Sequence, residues 1–300
     1  METSMNIQEG HEGVMEAIVS AEQYKSIITG IKERHGNPSG NLYFMYRDVL
    51  RYIAQGRLFA EECDGGYVFY VDGHTYYQTV IYGDLTKDFW VMPQDKKCIA
   101  RLVYDGKGAA AAQQGLSCIL QQNGFRKTAT TVLVQGRTEE ILEKCRGIER
   151  YIKKMETQGY FCVMAQESQF EEIDKLISDS GVVKDYHMTY MTHEEKKALR
   201  KGSYLCMINK DNEICGASLA TIVDGMSQGG AVVMKEGYKL KGFTPILTYN
   251  RAKWLREQNV EYTQGWIVTT NVDSIRYHTG TGFHLMDRYA DEWLLSLKED

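Results

Sequence analysis

What this chain lacks removes several classes of protein at once. No apolar run approaches the ~20 residues needed to span a bilayer, and the N-terminus lacks the basic-then-apolar order of a secretory signal. There is no basic excess either. Residues 1–150 carry 17 Lys and Arg against 19 Asp and Glu, and residues 151–300 carry 18 against 21. Neither half offers the positive field that nucleic-acid binding calls on, so no DNA partner is expected. Closely spaced cysteines are missing as well: Cys63, Cys98, Cys118, Cys145, Cys162, Cys206 and Cys215 form an odd, scattered set without zinc spacing. Reduced thiols in a cytoplasmic protein, with no metal, are the expectation. The remaining composition, 43% apolar and 25% charged over 300 residues, suits a globular chain of two domains.

What is present is one ordered series of elements between Gln228 and Phe283. A short apolar strand, Ala231 to Met234, leads into the basic loop Tyr238, Lys239, Leu240, Lys241, Gly242, Phe243, Thr244. A helix follows, with Ile246, Leu247, Tyr249, Trp254 and Leu255 at helical spacing and Pro245 in its first turn. Unpaired amides and the positive dipole end at a helix N-terminus suit a pyrophosphate, Gly242 permits close approach, and Lys239 and Lys241 add charge. A β-rich run, Glu261 to Thr270, is expected beside the first strand. Then come Asn271 as a polar cap, a short helix through Ser274, Tyr277 and His278, and the stop Gly282-Phe283.

From about Glu213 to Leu295 this series resembles the GNAT acyltransferase superfamily. Its donor loop has the form Arg/Gln-x-x-Gly-x-Gly/Ala, and its later segment the form Asn, then Ala or Ser, then Tyr, then Gly-Phe. By position, Lys239 stands for the first loop residue, Gly242 for the glycine and Thr244 for the small residue, while Asn271, Ser274 and Gly282-Phe283 match directly. The sequence departs from the pattern at Lys239 and Thr244, and again where the usual Tyr position holds His278, with Tyr277 one place earlier. The resemblance implies acetyl-CoA or another acyl-CoA as donor substrate, held by Val232, Val233, Met234, Lys239 to Thr244, Asn271 and Ser274.

The first half repeats this outline. Strand-like runs at Tyr67–Val71, Tyr76–Tyr82 and Cys98–Tyr104 precede a helix near 108–122, then Asn123-Gly124-Phe125 and a strand at Ala129–Val134. A tandem α+β arrangement follows: two GNAT-like domains, each a mixed, mostly antiparallel sheet flanked by helices. Residues 1–157 form the degenerate copy with a connecting helix at Thr138–Gln158, and residues 158–300 the donor-binding copy. The first copy lacks a basic glycine loop. Its Gly106 to Ala111 run has the G-x-G-x-x-A form of a dinucleotide fold, but Gln135, Gly136 and Arg137 stand where an acidic ribose ligand is needed. Helices are expected at Ser168–Ser178 and Thr192–Lys201, each opened by a capping box. The turn between them, with Asp185, Tyr186, His187 and Tyr190, would line the acceptor side.

Chemically, this outline describes thioester aminolysis of a small amine or amino-acid-like acceptor. Amides of Val233 and Met234 would hold the carbonyl oxygen, Tyr277 or His278 would protonate the thiolate, and Asp224, ahead of Glu213, is the first candidate base; water-relayed proton loss needs neither. A transferase using aminoacyl-tRNA and a non-catalytic acyl-CoA-binding protein are the alternatives.

Overall fold

The structure, a computed structural model, describes residues 15–36, 40–41, 46–73, 75–85, 95–106, 114–180, 204–228, 231–239 and 241–296. Residues 1–12, most of the Gly106–Ala111 run, Leu240, and the Thr192–Lys201 helix with its preceding turn lie outside these. Contacts divide the chain into two units, residues 1–129 with 290–300, and residues 130–289. The boundary anticipated near 157 falls inside the second unit, because the stretch from Thr138 packs Ile141, Leu142 and Cys145 onto that unit's Tyr249, Ala252 and Ile267. Among the described residues no helix is long and apolar enough to cross a membrane.

The first unit contains β1 (Glu16–Ala17), α1 (Ala21–His35), α2 (Tyr46–Ala54), β2 (Leu58–Cys63), β3 (Gly66–Asp72), β4 (Tyr76–Gly83), β5 (Lys97–Asp105), α3 (Gln114–Gln122) and the start of β6 (Arg126–Arg137). β2, β3 and β4 form an antiparallel meander, and β5 runs parallel to β4. Alternation along β3 serves two layers at once. Phe69 and Val71 face α1 and α2, while Val68 and Tyr70 face Leu116 and Leu120 of α3. The Asn123-Gly124-Phe125 stop is a Schellman turn: Gly124 has φ +82°, its N–H donates to Gln121 O, and the Phe125 N–H donates to Leu120 O.

Parallel pairing of β4 with β5 covers Tyr76–Thr79 against Lys97–Ala100 and then stops. Beyond it Asn41 fills the gap. Its Oδ1 accepts from Ile81 N–H at 2.6 Å, and its Nδ2 donates to Arg101 O at 3.1 Å and Thr79 O at 3.3 Å.

The second unit carries the rest: α4 (Thr138–Cys145), α5 (Ile148–Thr157), β7 (Tyr160–Met164), α6 (Phe170–Asp179), β8 (Tyr204–Asn209), β9 (Ile214–Leu219), β10 (Thr221–Val223), β11 (Met226–Gln228), β12 (Val232–Met234), α7 (Phe243–Glu257), β13 (Tyr262–Val268), α8 (Val272–Gly280) and β14 (Phe283–Leu295) as far as Tyr289. Its strands fall into two ladders, β12-β9-β8-β7 and β6-β13-β11-β10. The first is antiparallel throughout, whereas β11 and β13 are parallel. α6 covers one face of the first ladder with Phe170, Ile173 and Ile177, and α7 covers the other with Phe243, Ile246 and Leu247.

Candidate active site

The strand expected beside β13 does not lie there. β13 pairs instead with β11, Ser227 against Thr263 and Gln228 against Gln264, while β12 joins β9 in the other ladder. The registers give the reason. Thr221 faces Gln228, yet Ser218 faces Val232 rather than residue 231, so the β11–β12 side holds one extra residue. Such a bulge bends a strand and ends its pairing. It leaves β12 as an edge strand with no neighbour on its outer side among the described residues.

Which backbone groups face that edge follows from antiparallel alternation. Leu219 N–H donates to Ala231 O and Lys235 N–H to Cys215 O, so the hydrogen-bonded pairs are those of Ala231, Val233 and Lys235. The groups of Val232 and Met234 therefore point outward. The Val233 amide, expected to face the edge, turns inward to β9, whereas the backbone groups of Val232 and Met234 face outward.

After β12 the chain makes a 3-10 turn at Glu236–Tyr238, and Gly242 enters the left-handed region at φ +71° to start α7. A side chain there would be strained. It would also meet the Tyr151 ring and hydroxyl at 3.1–3.4 Å, since the Tyr151 hydroxyl donates to Lys241 O. Phe243 is buried against Tyr160 and Tyr238, with centroids 5.0 and 6.2 Å away. Gly242 supplies no side-chain cap and the first turn holds no acid. The N–H groups of Phe243 and Thr244 have no intrahelical acceptor, and Pro245 has none to leave. Of the loop lysines, Lys239 pairs with Glu236, and Lys241 lies over the rings of Tyr160 and Tyr238 at 5.6 and 5.8 Å.

Asn271 caps α8, its Oδ1 accepting from Ser274 N–H at 3.0 Å. That interaction accounts for both motif residues within the helix itself. Tyr277 and His278 follow on the next turn. The Tyr277 hydroxyl donates to Thr248 Oγ1 of α7 at 2.8 Å. Burial pushes its phenol above the ordinary value, against the pull of Thr248 and of the Arg251 charge. His278 Nδ1 lies 2.8 Å from Ser274 O and 3.4 Å from Ser274 Oγ. A carbonyl only accepts, so Nδ1 carries the proton and Nε2 keeps a lone pair. Burial pulls His278 below its ordinary value; the Ser274 contact opposes this and the Arg251 charge adds to it.

Asp224 occupies a different place. With Gly225 it forms the exposed tip of the β10–β11 hairpin, both at positive φ, +52° and +72°. Asp-Gly at two such positions is the chemistry of a type I′ turn, which explains the residue without catalysis. Glu213 is tied up beside the loop, accepting from Asn209 Nδ2 at 3.0 Å and from the Tyr238 hydroxyl at 3.3 Å. Three residues escaped sequence reasoning: Tyr151, Thr248 and Arg251. Only Arg251 left a signal, a charge on the apolar stripe of α7.

No disulfide joins the seven cysteines, and burial raises the thiols of Cys63, Cys98 and Cys162 to about 12, which removes them as nucleophiles. A cavity of about 590 Å³ is lined by Arg137, Glu139, Glu143, Arg146, Glu149 and Arg256 among others. It contains neither Tyr277 nor His278, and the backbone geometry at β12 and Gly242 is the better guide to the chemistry.

No protein-family model matches the sequence, and no curated protein matches it. Solved structures do match in fold. A GCN5-related N-acetyltransferase from Sphaerobacter thermophilus is 12% identical with a TM-score of 0.55, over 97% of each chain. A tandem GNAT protein from the clavulanic acid biosynthesis pathway is 10% identical with a TM-score of 0.56, over 96% of this chain and 100% of that one. A GCN5-related glucosamine N-acetyltransferase region of a fungal multi-domain GH3 β-N-acetylglucosaminidase is 9% identical with a TM-score of 0.57, over 94% of this chain and 38% of that one. The chain has the α+β fold of the tandem GNAT acetyltransferases.

Proposed function

We propose that the chain is an acyl-CoA-dependent N-acyltransferase, with acetyl-CoA as donor and a small amine as acceptor. The observation that carries this reading is the open edge of β12, released from β13 by a bulge and running into the uncapped amide end of α7. Amides of Gly242, Phe243 and Thr244 would hold the pyrophosphate, and the outward groups of Val232 and Met234 would pair with the amides of the pantetheine arm. The acyl carbonyl then lies near the bulge, beside α8.

The amine attacks the thioester carbonyl, a C–N bond forms, and the C–S pair leaves on sulfur. Neutral His278, with its lone pair on Nε2, takes the ammonium proton of the adduct. Tyr277 keeps its proton at neutral pH and supplies one to sulfur, to be reprotonated from His278. This gives Tyr277 and His278 each a task and leaves Asp224 as a turn residue. Titration calorimetry with acetyl-CoA, followed by thiol release against a panel of amines, tests the reading. Binding with amine-dependent release is the expected result. Binding with no release by any amine would leave a carrier or sensor, and absence of binding would end the reading altogether.

A further inference from the structure

Phe243, Leu247, Arg251 and Leu255 fall four residues apart on α7, on one stripe, and all four are buried. Three are apolar and one is a guanidinium, 5% exposed. Its Nη1 reaches Ser218 Oγ at 3.5 Å, the long limit of a hydrogen bond, and no carboxylate among the described residues pairs with it. Among the described residues that contact is the one hydrogen bond of the Arg251 side chain. The titratable groups whose charges act on it are Tyr277 and His278 of α8.

Among the described residues this buried cation has no counter-ion, an arrangement that is costly, and arginine does not escape by losing its proton. An arriving anion would supply the partner that the described residues lack. Distance along α7 indicates which one. Arg251 is eight residues beyond Phe243, about 12 Å along the axis. The pantetheine arm has the reach of about four extended residues, roughly 13–14 Å. A coenzyme whose pyrophosphate lies on the α7 N-terminus thus brings its sulfur level with Arg251, on the flank where Tyr277 and His278 stand.

We infer that Arg251 is a catalytic cation for the leaving group: its guanidinium faces the coenzyme's sulfur and stabilises the thiolate formed as the C–S bond breaks. The inference rests on the acyl-CoA reading. As the amine nitrogen bonds to the carbonyl carbon, the C–S pair collapses onto sulfur beside Arg251, the amine proton passes to His278, and sulfur takes its proton from Tyr277. A fixed, desolvated cation placed where negative charge develops acts in the transition state without reorganising.

The test uses two products: coenzyme A, and desulfo-coenzyme A, which lacks the sulfur. Binding of each to the wild-type chain, Arg251→Lys and Arg251→Met is measured by calorimetry from about pH 7 to about pH 9.5, across the ordinary thiol range. In the wild type, coenzyme A should gain on the desulfo compound by about tenfold or more as pH rises, tenfold corresponding to one pH unit of thiol shift. Arg251→Lys should keep part of the gain and Arg251→Met none. A wild-type affinity ratio that stays constant with pH, or a full gain in Arg251→Met, overturns the inference. If Arg251→Met does not fold, the wild type and Arg251→Lys decide it. Failure of both compounds to bind would overturn the acyl-CoA reading and this inference with it.

Discussion

His278 Nδ1 donates to the carbonyl oxygen of Ser274, one turn earlier on α8, at 2.8 Å. The bond fixes the tautomer, while Phe283 and Tyr277 fix the ring edge-on at 5.1 and 5.5 Å. A neutral ring so held is a proton acceptor through Nε2. His278→Gln should therefore lower kcat by about 10²–10⁴-fold, the usual share of one acid–base group. Donor affinity, measured by calorimetry, should not change. In the wild type kcat/KM should fall as pH drops below the ordinary histidine range, and this acid limb should vanish in His278→Gln. An acid limb that survives unchanged would remove His278 from the proton path.

The same group shapes stability. Burial lowers the folded-state value of His278 from the ordinary 6.5, so on acidification the unfolded chain binds its proton first. The contribution is complete above 6.5 and is lost as pH falls from 6.5 through the lower native value. Urea midpoints taken between about pH 7.5 and about pH 5 should fall more steeply for the wild type than for His278→Gln. Parallel curves would mean that the native ring titrates as it does in the unfolded chain.

Much of this site was legible because its signals are local. Gly242 before an apolar helix, Asn271 three residues before Ser274, and Gly282 before Phe283 each state a backbone requirement within a few residues. Gly282, at φ +94°, also passes close to the Glu140 backbone, which an added Cβ would meet at 3.2 Å. The bulge was not legible, because a register shift is a relation between Ser218 and Val232 across two strands. The grouping of Ala290–Leu295 with residues 1–129 is nonlocal in the same way, the Asp291 carboxylate meeting Lys127 at 2.8 Å and Tyr104 at 3.3 Å. Asp224 also carries a local signal, since Asp224-Gly225 spells a hairpin turn. Arg251 sat in plain view on its stripe, but a charge there gains meaning only once the stripe is known to be buried.

Gly242 joins stability to donor binding. Alanine in the left-handed region costs about 1–2 kcal/mol, and its Cβ would press on Tyr151 at 3.1 Å. Gly242→Ala should lose about that much in chemical denaturation and should also weaken acetyl-CoA in calorimetry, because the strained turn is the one that presents the α7 amides. Loss of stability with unaltered donor affinity would move the pyrophosphate away from this loop.

Asn41 sets the two units apart. In the second unit no described strand pairs with the outer edge of β12, whereas in the first the gap beyond Thr79 is occupied by an amide side chain bonded to both sides, to Ile81 on β4 and Arg101 on β5. Asn41 is 6% exposed, so no water stands ready to replace it. Asn41→Ala leaves the Ile81 N–H and two carbonyls without their partner and should cost about 2–4 kcal/mol, an unsatisfied buried donor alone costing about 1–3. Asn41→Asp keeps the acceptor for Ile81 but turns an anion toward the Thr79 and Arg101 carbonyls. It should be destabilised at neutral pH and recover as acid protonates the carboxyl, which then donates to one of them. Urea denaturation of both variants at two pH values reads this out. A mild, pH-independent loss in both would show that the strands close over the gap without Asn41.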